Sequence, residues 1–245
     1  MISVCMASYN GGKYIREQID SILEQLDELD ELIISDDGSS DSTIEIINSY
    51  SDKRIKLYKN INNHGCIYNF ENALQYAKGD YIFLADQDDV WCNNKVRICL
   101  AELRTADLVV HDCYITDDKL NILKQSFFKE RRSKKGFWNN LVLNSYVGAC
   151  MVFKSSVLEY VLPLPQPLLV YHDAWIASLV DIIGNVKFIN SPLIYFRRHS
   201  ANTSQSTSKS SFSIYKKILF RLHLLYVITL RLFCYKCKKM IMKNI

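Results

Sequence analysis

Three carboxylates fall within four residues, Asp86-Gln87-Asp88-Asp89, directly after the apolar run Tyr81-Ile82-Phe83-Leu84-Ala85. Acids crowded at the end of a strand repel one another, and holding them there is costly unless a cation or hydrogen-bond donors meet them. Oxygen ligands that leave coordination positions open suit Mg2+ or Mn2+, which can then bridge the oxygens of a substrate diphosphate. Charge neutralisation of that kind makes a diphosphate a competent leaving group. The plain alternative is a solvated acidic turn.

Two further groups of residues follow apolar runs in the same way. Ser35-Asp36-Asp37-Gly38-Ser39-Ser40-Asp41 contains adjacent acids. Helix capping accounts for Asp41 and turn formation in part for Asp36, whereas Asp37 needs neither role. A carboxylate there can accept from a uracil or thymine N–H, or from ribose hydroxyls. Ala7-Ser8-Tyr9-Asn10-Gly11-Gly12 combines small residues and a glycine pair, which let backbone approach a ligand closely, with a Tyr9 ring that can stack on a base or ribose. An ordinary β-to-α turn would look similar. The pattern is not G-x-G-x-x-G, so a dinucleotide-binding fold of that type is unsupported.

The elements that must position these groups alternate. Ile2–Ala7, Glu31–Ser35, Arg54–Tyr58 and Asp80–Ala85 read as strands. Between them, Lys13–Leu26 carries Ile15, Ile19, Ile22 and Leu26 on one helical face, Asp41 begins a helix through Tyr50, and Ile67, Phe70, Leu74 and Ala77 stripe a third helix ended by Lys78-Gly79. Such alternation predicts a mostly parallel sheet with helices on both faces and ligands at the carboxyl ends of the strands, where the three motifs fall. Further on, a helix is expected over Asn93–Arg104, then strands at Leu108–Cys113 and Val147–Phe153, a basic loop at Lys129–Gly136, and a loop marked by Pro163, Pro165 and Pro167. A helix over His172–Ile183, strands near Val186–Asn190 and Leu193–Arg197, and a Ser-rich linker over Ser200–Ser213 complete the reading.

The three motifs, in this order and spacing, resemble those of inverting family 2 glycosyltransferases with the GT-A fold. The residues that carry the likeness are Ala7-Ser8-Tyr9-Asn10, Ser35-Asp36-Asp37-Gly38-Ser39, and Asp86-Gln87-Asp88-Asp89 followed by Trp91 and Lys95, with Asn63-His64-Gly65 and Asn69 adding a further match. It is nearest to bacterial rhamnosyl- and hexosyltransferases of O-antigen and capsule assembly and covers about residues 1–200. The resemblance implies that Asp37 holds the base, Tyr9 stacks near it, Asp86 faces the ribose, Asp88 is the main metal ligand, and Ala7, Ser8, Asn10, Asn69 and Gln87 line the nucleotide-sugar site. It also implies a catalytic acid in the second half, matched here by Asp173 in Tyr171-His172-Asp173-Ala174-Trp175. A positioned carboxylate that takes the acceptor hydroxyl's proton contributes on the order of 10²–10⁴-fold. Without the resemblance, Asp173 would read as an acid at a helix N-terminus, stabilised by the helix dipole. In Arg197-Arg198-His199, His199 is a second candidate metal ligand, while Arg197 and Arg198 can meet the diphosphate or form a solvated turn. Asp89 and Trp175 are candidates for the acceptor side, core packing being the alternative for Trp175.

Charge divides the chain. Residues 1–181 hold 18 Lys and Arg against 26 Asp and Glu, whereas residues 182–245 hold 12 Lys and Arg and no acid. On a helical wheel Leu219, Leu222, Tyr226, Leu230, Phe233, Cys237 and Met240 make one apolar stripe, with Lys216, Lys217, Arg221, Arg231, Lys236, Lys238, Lys239 and Lys243 on the other half. Arg221 and Arg231 interrupt the run too early for a span of about 20 residues, so a basic amphipathic helix lying on an anionic leaflet is expected. The alternative is a helix docked on the catalytic domain with its basic face in solvent. Met1 runs into an apolar stretch too short for a signal sequence, and the eight cysteines read as reduced, the lone Cys234-x-x-Cys237 included.

Together these features predict a domain over residues 1–205, with a nucleotide-sugar half at 1–104 and an acceptor half at 105–205, followed by a basic helical tail at 206–245. The expected reaction is inverting transfer of a hexose or deoxyhexose of glucose, galactose or rhamnose type from a UDP- or dTDP-sugar, with Mn2+ or Mg2+. The expected acceptor is a saccharide on a polyprenyl diphosphate, met by an enzyme peripheral on the inner face of a bacterial cell membrane, with no nucleic-acid partner. A metal-dependent nucleotidyltransferase and a non-catalytic membrane-binding module are the rival readings.

Overall fold

The computed structural model describes residues 1–61, 65–142, 144–199 and 213–243. The first half alternates as its periodicity requires: β1 (Ile2–Ser8), α1 (Ile15–Leu23), β2 (Glu31–Asp36), α2 (Thr43–Asn48), β3 (Ile55–Lys59), α3 (Cys66–Gln75) and β4 (Tyr81–Asp86). The second half contains β5 (Val90–Trp91), α4 (Lys95–Leu103), β6 (Leu108–Thr116), β7 (Ile122–Lys124), α5 (Phe127–Arg131), α6 (Phe137–Val142), β8 (Met151–Lys154), α7 (Leu158–Val161), α8 (His172–Ile183), β9 (Val186–Arg197) and α9 (Ile214–Lys243).

Among the described residues one nine-stranded sheet runs β3-β2-β1-β4-β8-β6-β9-β5, with β7 beside β6. β1 sits between β2 and β4, parallel to both, and its side chains are buried on both faces, which is why Ile2–Ser8 reads as a continuous rather than alternating apolar run. The register is what matters for the site. Ala7 lies opposite Ser35 on one side and Asp86 on the other, and Ser8 lies opposite Asp36, so the three motifs are level along one carboxyl edge. Beyond β4 the sheet becomes mixed: β8 is antiparallel to both β4 and β6, and β6 is parallel to β9.

Several local expectations change. The strand expected over Val147–Phe153 begins as a 3-10 turn at Gly148–Cys150 before β8. A Cβ at Gly148 would stand 2.8 Å from His172 Nε2, so the turn brings bare backbone against α8. The two strands expected at Val186–Asn190 and Leu193–Arg197 are one, with a register shift where Pro192 faces Asp112; proline cannot donate to a ladder and is confined to such irregularities. The basic loop at 129–136 opens inside α5, whose N-terminus Ser126 caps by accepting the Lys129 N–H at 3.1 Å. Most of the Ser-rich linker, residues 200–212, lies outside the described residues.

The tail differs from the expected arrangement. Leu224, Val227 and Ile228 of α9 are buried against the domain, so the helix docks. Arg221 and Arg231, expected on a solvated basic face, point inward. Arg221 donates to the carbonyls of Leu141 (2.8 Å) and Val142 at the end of α6, and Arg231 to those of Tyr160 (3.1 Å), Leu162 (3.0 Å) and Pro163 after α7. The last carbonyls of a helix have no intrahelical partner, and arginine is well suited to satisfy them. The expected apolar stripe is the face left exposed, with Leu222 59%, Tyr226 63% and Phe233 68% accessible.

Candidate active site

The β1 and β2 edges form a hydrogen-bonded cradle. Asp36 is buried and accepts from Ser8 Oγ (2.9 Å), Gly38 N–H (3.0 Å), Ser39 N–H (2.8 Å) and Ser39 Oγ (2.5 Å), which accounts fully for it as the organiser of this turn. Asp37 points the other way, half-buried, accepting from Asn60 Nδ2 at 2.9 Å and Gly65 N–H at 2.7 Å. Asn69, on α3, donates to the Ser8 carbonyl at 2.9 Å, and its buried Oδ1 has no hydrogen-bond partner among the described residues. Asn63 and His64 lie outside the described residues.

Tyr9 is 56% exposed at the mouth of this cradle, and its backbone is fixed by Gln87, which both accepts from its N–H and donates to its carbonyl. Asn10, at φ 48°, accepts the Ser40 N–H at 2.9 Å and donates its own N–H to Ser39 Oγ at 2.9 Å. Asparagine tolerates this left-handed conformation better than most residues. The two loops therefore form one platform under Tyr9.

The acidic loop separates its members. Asp88 Oδ2 lies 2.9 Å from His199 Nε2, with both side chains largely covered and the imidazole stacked on Tyr14 at 4.6 Å between ring centroids. Arg198 is close enough for Asp88 and Asp89 to act on its guanidinium. Burial, then the neighbouring charges of Asp88 and Asp173, push the Asp86 carboxyl up to about 7, and Lys95 opposes this. Lys95 is fully buried, donating to the Ala149 carbonyl at 3.0 Å and standing 4.0 Å from the centroid of the buried Trp91 ring.

Asp89 is a correction. Expected near an acceptor, it is wholly buried, accepts the Arg197 N–H at 3.0 Å, and is raised in pKa by burial. It ties the acidic loop to the end of β9 and presents no surface to a sugar. Arg197 is likewise buried, pairing with Glu17 and donating to the Asp118 carbonyl at 2.8 Å, so of the two arginines only Arg198 stays beside the acids. Trp175 is the other correction: it has no exposed area, and its indole N–H donates to the Val161 carbonyl at 3.0 Å, so it packs the core behind α8.

Asp173 occupies the first turn of α8. Burial pushes its carboxyl up to about 6, and the N–H groups of Ala174 and Gly148 and the Asn144 side chain limit that rise by donating to it. His172 beside it is buried against the Phe70 ring (4.0 Å between centroids), with neither ring nitrogen hydrogen-bonded among the described residues, and burial lowers its pKa to about 3.

Cys66 was read from the sequence only as a reduced core residue. It opens α3 directly after Gly65, and the charges of Asp86, Asp173, Asp37 and Asp88 together raise its thiol pKa after burial itself. Carboxylates from three separate segments, the turn after β2, the loop after β4 and the first turn of α8, thus act electrostatically on one thiol. The nearest sequence signal was its position just after Asn63-His64-Gly65. Among the described residues no group of three or more His, Cys, Asp or Glu side chains is placed to hold a metal ion.

Residues 3–162 match the family model for glycosyl transferase family 2. The chain is 31% identical over 215 residues to an uncharacterized glycosyltransferase of Rickettsia typhi, covering 84% of this chain and 66% of the relative, so it spans about two thirds of that protein's length. It is 29% identical over 213 residues (85% of this chain, 81% of the relative) to WfgD of Escherichia coli, a UDP-Glc:alpha-D-GlcNAc-diphosphoundecaprenol beta-1,3-glucosyltransferase. Among solved structures, S. aureus TarS residues 1–349 in complex with UDP-GlcNAc superposes with a TM-score of 0.68 at 19% identity, over 94% of this chain and 66% of that one. The mannosyltransferase PcManGT of Pyrobaculum calidifontis, in complex with GDP-Man and Mn2+, gives 0.59 at 20% identity, over 78% and 54%. The level carboxyl edge, the family match across the parallel half and these superpositions agree: the chain belongs to glycosyl transferase family 2 and has the GT-A fold.

Proposed function

We propose that this chain transfers a hexose or deoxyhexose, with inversion, from a UDP- or dTDP-sugar to a saccharide carried on a polyprenyl diphosphate at the cytoplasmic face of a bacterial membrane, as a step in surface-polysaccharide assembly. The observation that carries this reading is the level carboxyl edge that sets the motifs after β1, β2 and β4 side by side, with Asp88 against His199 and the Tyr9 ring exposed. The WfgD relative, named for a UDP-Glc donor and a diphosphoundecaprenol acceptor, supports the choice of donor and carrier.

The roles are those the family resemblance implies. Asp37 accepts the N–H of the base, Tyr9 stacks on it, and Asp86 meets the ribose side. Asp88 and His199 offer one carboxylate oxygen and one imidazole nitrogen 2.9 Å apart, a donor pair that would hold Mn2+ or Mg2+. Such an ion, when bound, supplies charge neutralisation to the leaving diphosphate. Arg198 adds positive charge at the same edge. Asp173 takes the proton of the acceptor hydroxyl as that oxygen attacks the anomeric carbon from the face opposite the diphosphate. A carboxyl raised to about 6 is a stronger base than an ordinary one yet remains mostly ionised near neutral pH.

A thermal-shift panel of nucleotide sugars with and without Mn2+, followed by product analysis, tests the reading. UDP- or dTDP-sugars should stabilise the protein in the presence of the metal, and turnover should release nucleoside diphosphate. Release of pyrophosphate would assign a nucleotidyltransferase instead, and no stabilisation by any donor would overturn the proposal.

A further inference from the structure

Helix α9 is apolar on two faces, and the domain uses only one of them. Leu224, Val227 and Ile228 are buried inward, while Tyr215, Leu219, Leu222, Tyr226, Leu230 and Phe233 are between 45% and 77% exposed outward. At 100° per residue these six fall within a single arc, and the exposed Lys216 and Lys236 lie at its two edges rather than within it. Thirty residues make a helix about 45 Å long, so the outward stripe is far larger than the scattered apolar exposure of an ordinary surface.

We propose that this outward face is a bilayer-docking surface, bedded flat in the headgroup boundary of an anionic membrane. Charge selects the occupant. α9 carries eight Lys and Arg with no acid, so an anionic lipid surface is complementary where the same helix of a second copy would bring like charge. Aromatic side chains along the stripe and lysines at its rim match the depth profile of such an interface. The segment Ile214–Cys237, at mean hydropathy 1.6, is long and apolar enough to cross a membrane by length and composition. Spanning would, however, strip Arg221 and Arg231 from the five carbonyls they satisfy and expose the inward face, so the helix lies on the membrane while still docked.

The docking also fixes the active site. The Arg231 guanidinium stands 5.3 Å from the centroid of the Trp175 ring, and Trp175 is two residues after Asp173 on α8. Bedding α9 therefore holds the base-bearing helix at a set height over the surface. This consequence, unlike the docking itself, rests on the proposed transfer to a lipid-linked acceptor.

Flotation of the full chain with phosphatidylglycerol-containing vesicles tests the surface without any donor or acceptor, so its outcome is independent of the transferase reading. The chain should float, and less so as salt rises from about 0.05 to about 0.5 M. Combined Leu222→Ser, Tyr226→Ser and Phe233→Ser should lower vesicle partition about 100-fold with an unchanged melting transition, since these side chains touch solvent and not the core. Phe233→Trp, a gentler change, should show blue-shifted emission on vesicle addition. Failure of the intact chain to float at low salt, flotation of the triple variant equal to that of the unaltered chain, or no spectral shift from Phe233→Trp would each overturn the proposal. So would retention on membranes through an alkaline carbonate wash, which indicates a span, or a dimer in light scattering that the triple variant dissociates.

Discussion

The side-chain amide of Gln87 pairs with both polar atoms of the Tyr9 peptide unit, accepting from its N–H at 2.9 Å and donating to its carbonyl at 2.9 Å. The acidic loop after β4 thereby sets the position of the Tyr9 backbone and of the exposed ring it carries. Gln87→Ala removes two hydrogen bonds, each contributing about 1 kcal/mol, so the donor KM should rise by up to about thirtyfold with kcat little changed. Gly11→Ala should act in the same direction, because its Cβ would stand 2.1 Å from Gln87 Oε1. Steady-state kinetics with the donor varied at saturating acceptor checks both, and an unaltered donor KM in both variants would contradict the coupling.

Asp88→Ala should abolish metal-dependent donor binding while leaving the melting temperature of the unliganded protein close to that of the parent. His199→Ala should weaken apparent Mn2+ affinity about 10–100-fold, as expected when one of a site's supports is lost. Thermal-shift titration of Mn2+ at fixed nucleotide measures both. If nucleotide affinity and turnover survive in Asp88→Ala, the metal assignment is wrong.

Asp173→Asn should retain donor binding and lower kcat by about 10²-fold or more, as loss of a general base requires. The carboxyl of the folded protein lies near 6, so kcat/KM of the parent should fall as pH drops through about 6, and the variant should lack that limb. The stability effect has the opposite sense. In the folded state this carboxyl keeps a proton that the unfolded chain has shed above about 3.9, so its contribution favours folding at low pH and is lost as pH rises through about 6. A raised KM with unchanged kcat in the Asn variant would make Asp173 a binding residue.

Trp175→Ala should cost about 3–5 kcal/mol of stability, the usual effect of emptying a buried aromatic site, with the indole hydrogen bond to Val161 lost besides. Denaturant melts give the magnitude. A stable variant whose acceptor KM has risen tenfold would instead restore Trp175 as an acceptor contact.

The sequence by itself determined the parallel half and the level at which its motifs meet. Apolar runs of strand length alternating with helical stripes imply a parallel sheet, and in such a sheet residues that follow the strands share one edge, while the order β3-β2-β1-β4 came from the fold. The places of Asp37, Asp86 and Asp88 at that edge follow from this pattern, whereas Asp173 was matched only through the family likeness. What only the tertiary structure decided is which of two adjacent side chains is taken into the core and which stays at the carboxyl edge. Asp88 and Asp89 are neighbours in the chain with the same chemistry. They part because the end of β9 brings both the Arg197 N–H, which captures Asp89 in the core, and the His199 ring, which stands against Asp88. Cys66 comes under the charge of the site's carboxylates through the packing of α3 over β1, which no local pattern encodes. The same holds for α9. Helical periodicity marked its outward stripe, but a helix apolar on two faces does not specify which one the domain takes. That was decided by the unsatisfied carbonyls at the ends of α6 and α7, which draw Arg221 and Arg231 inward and leave the stripe outside.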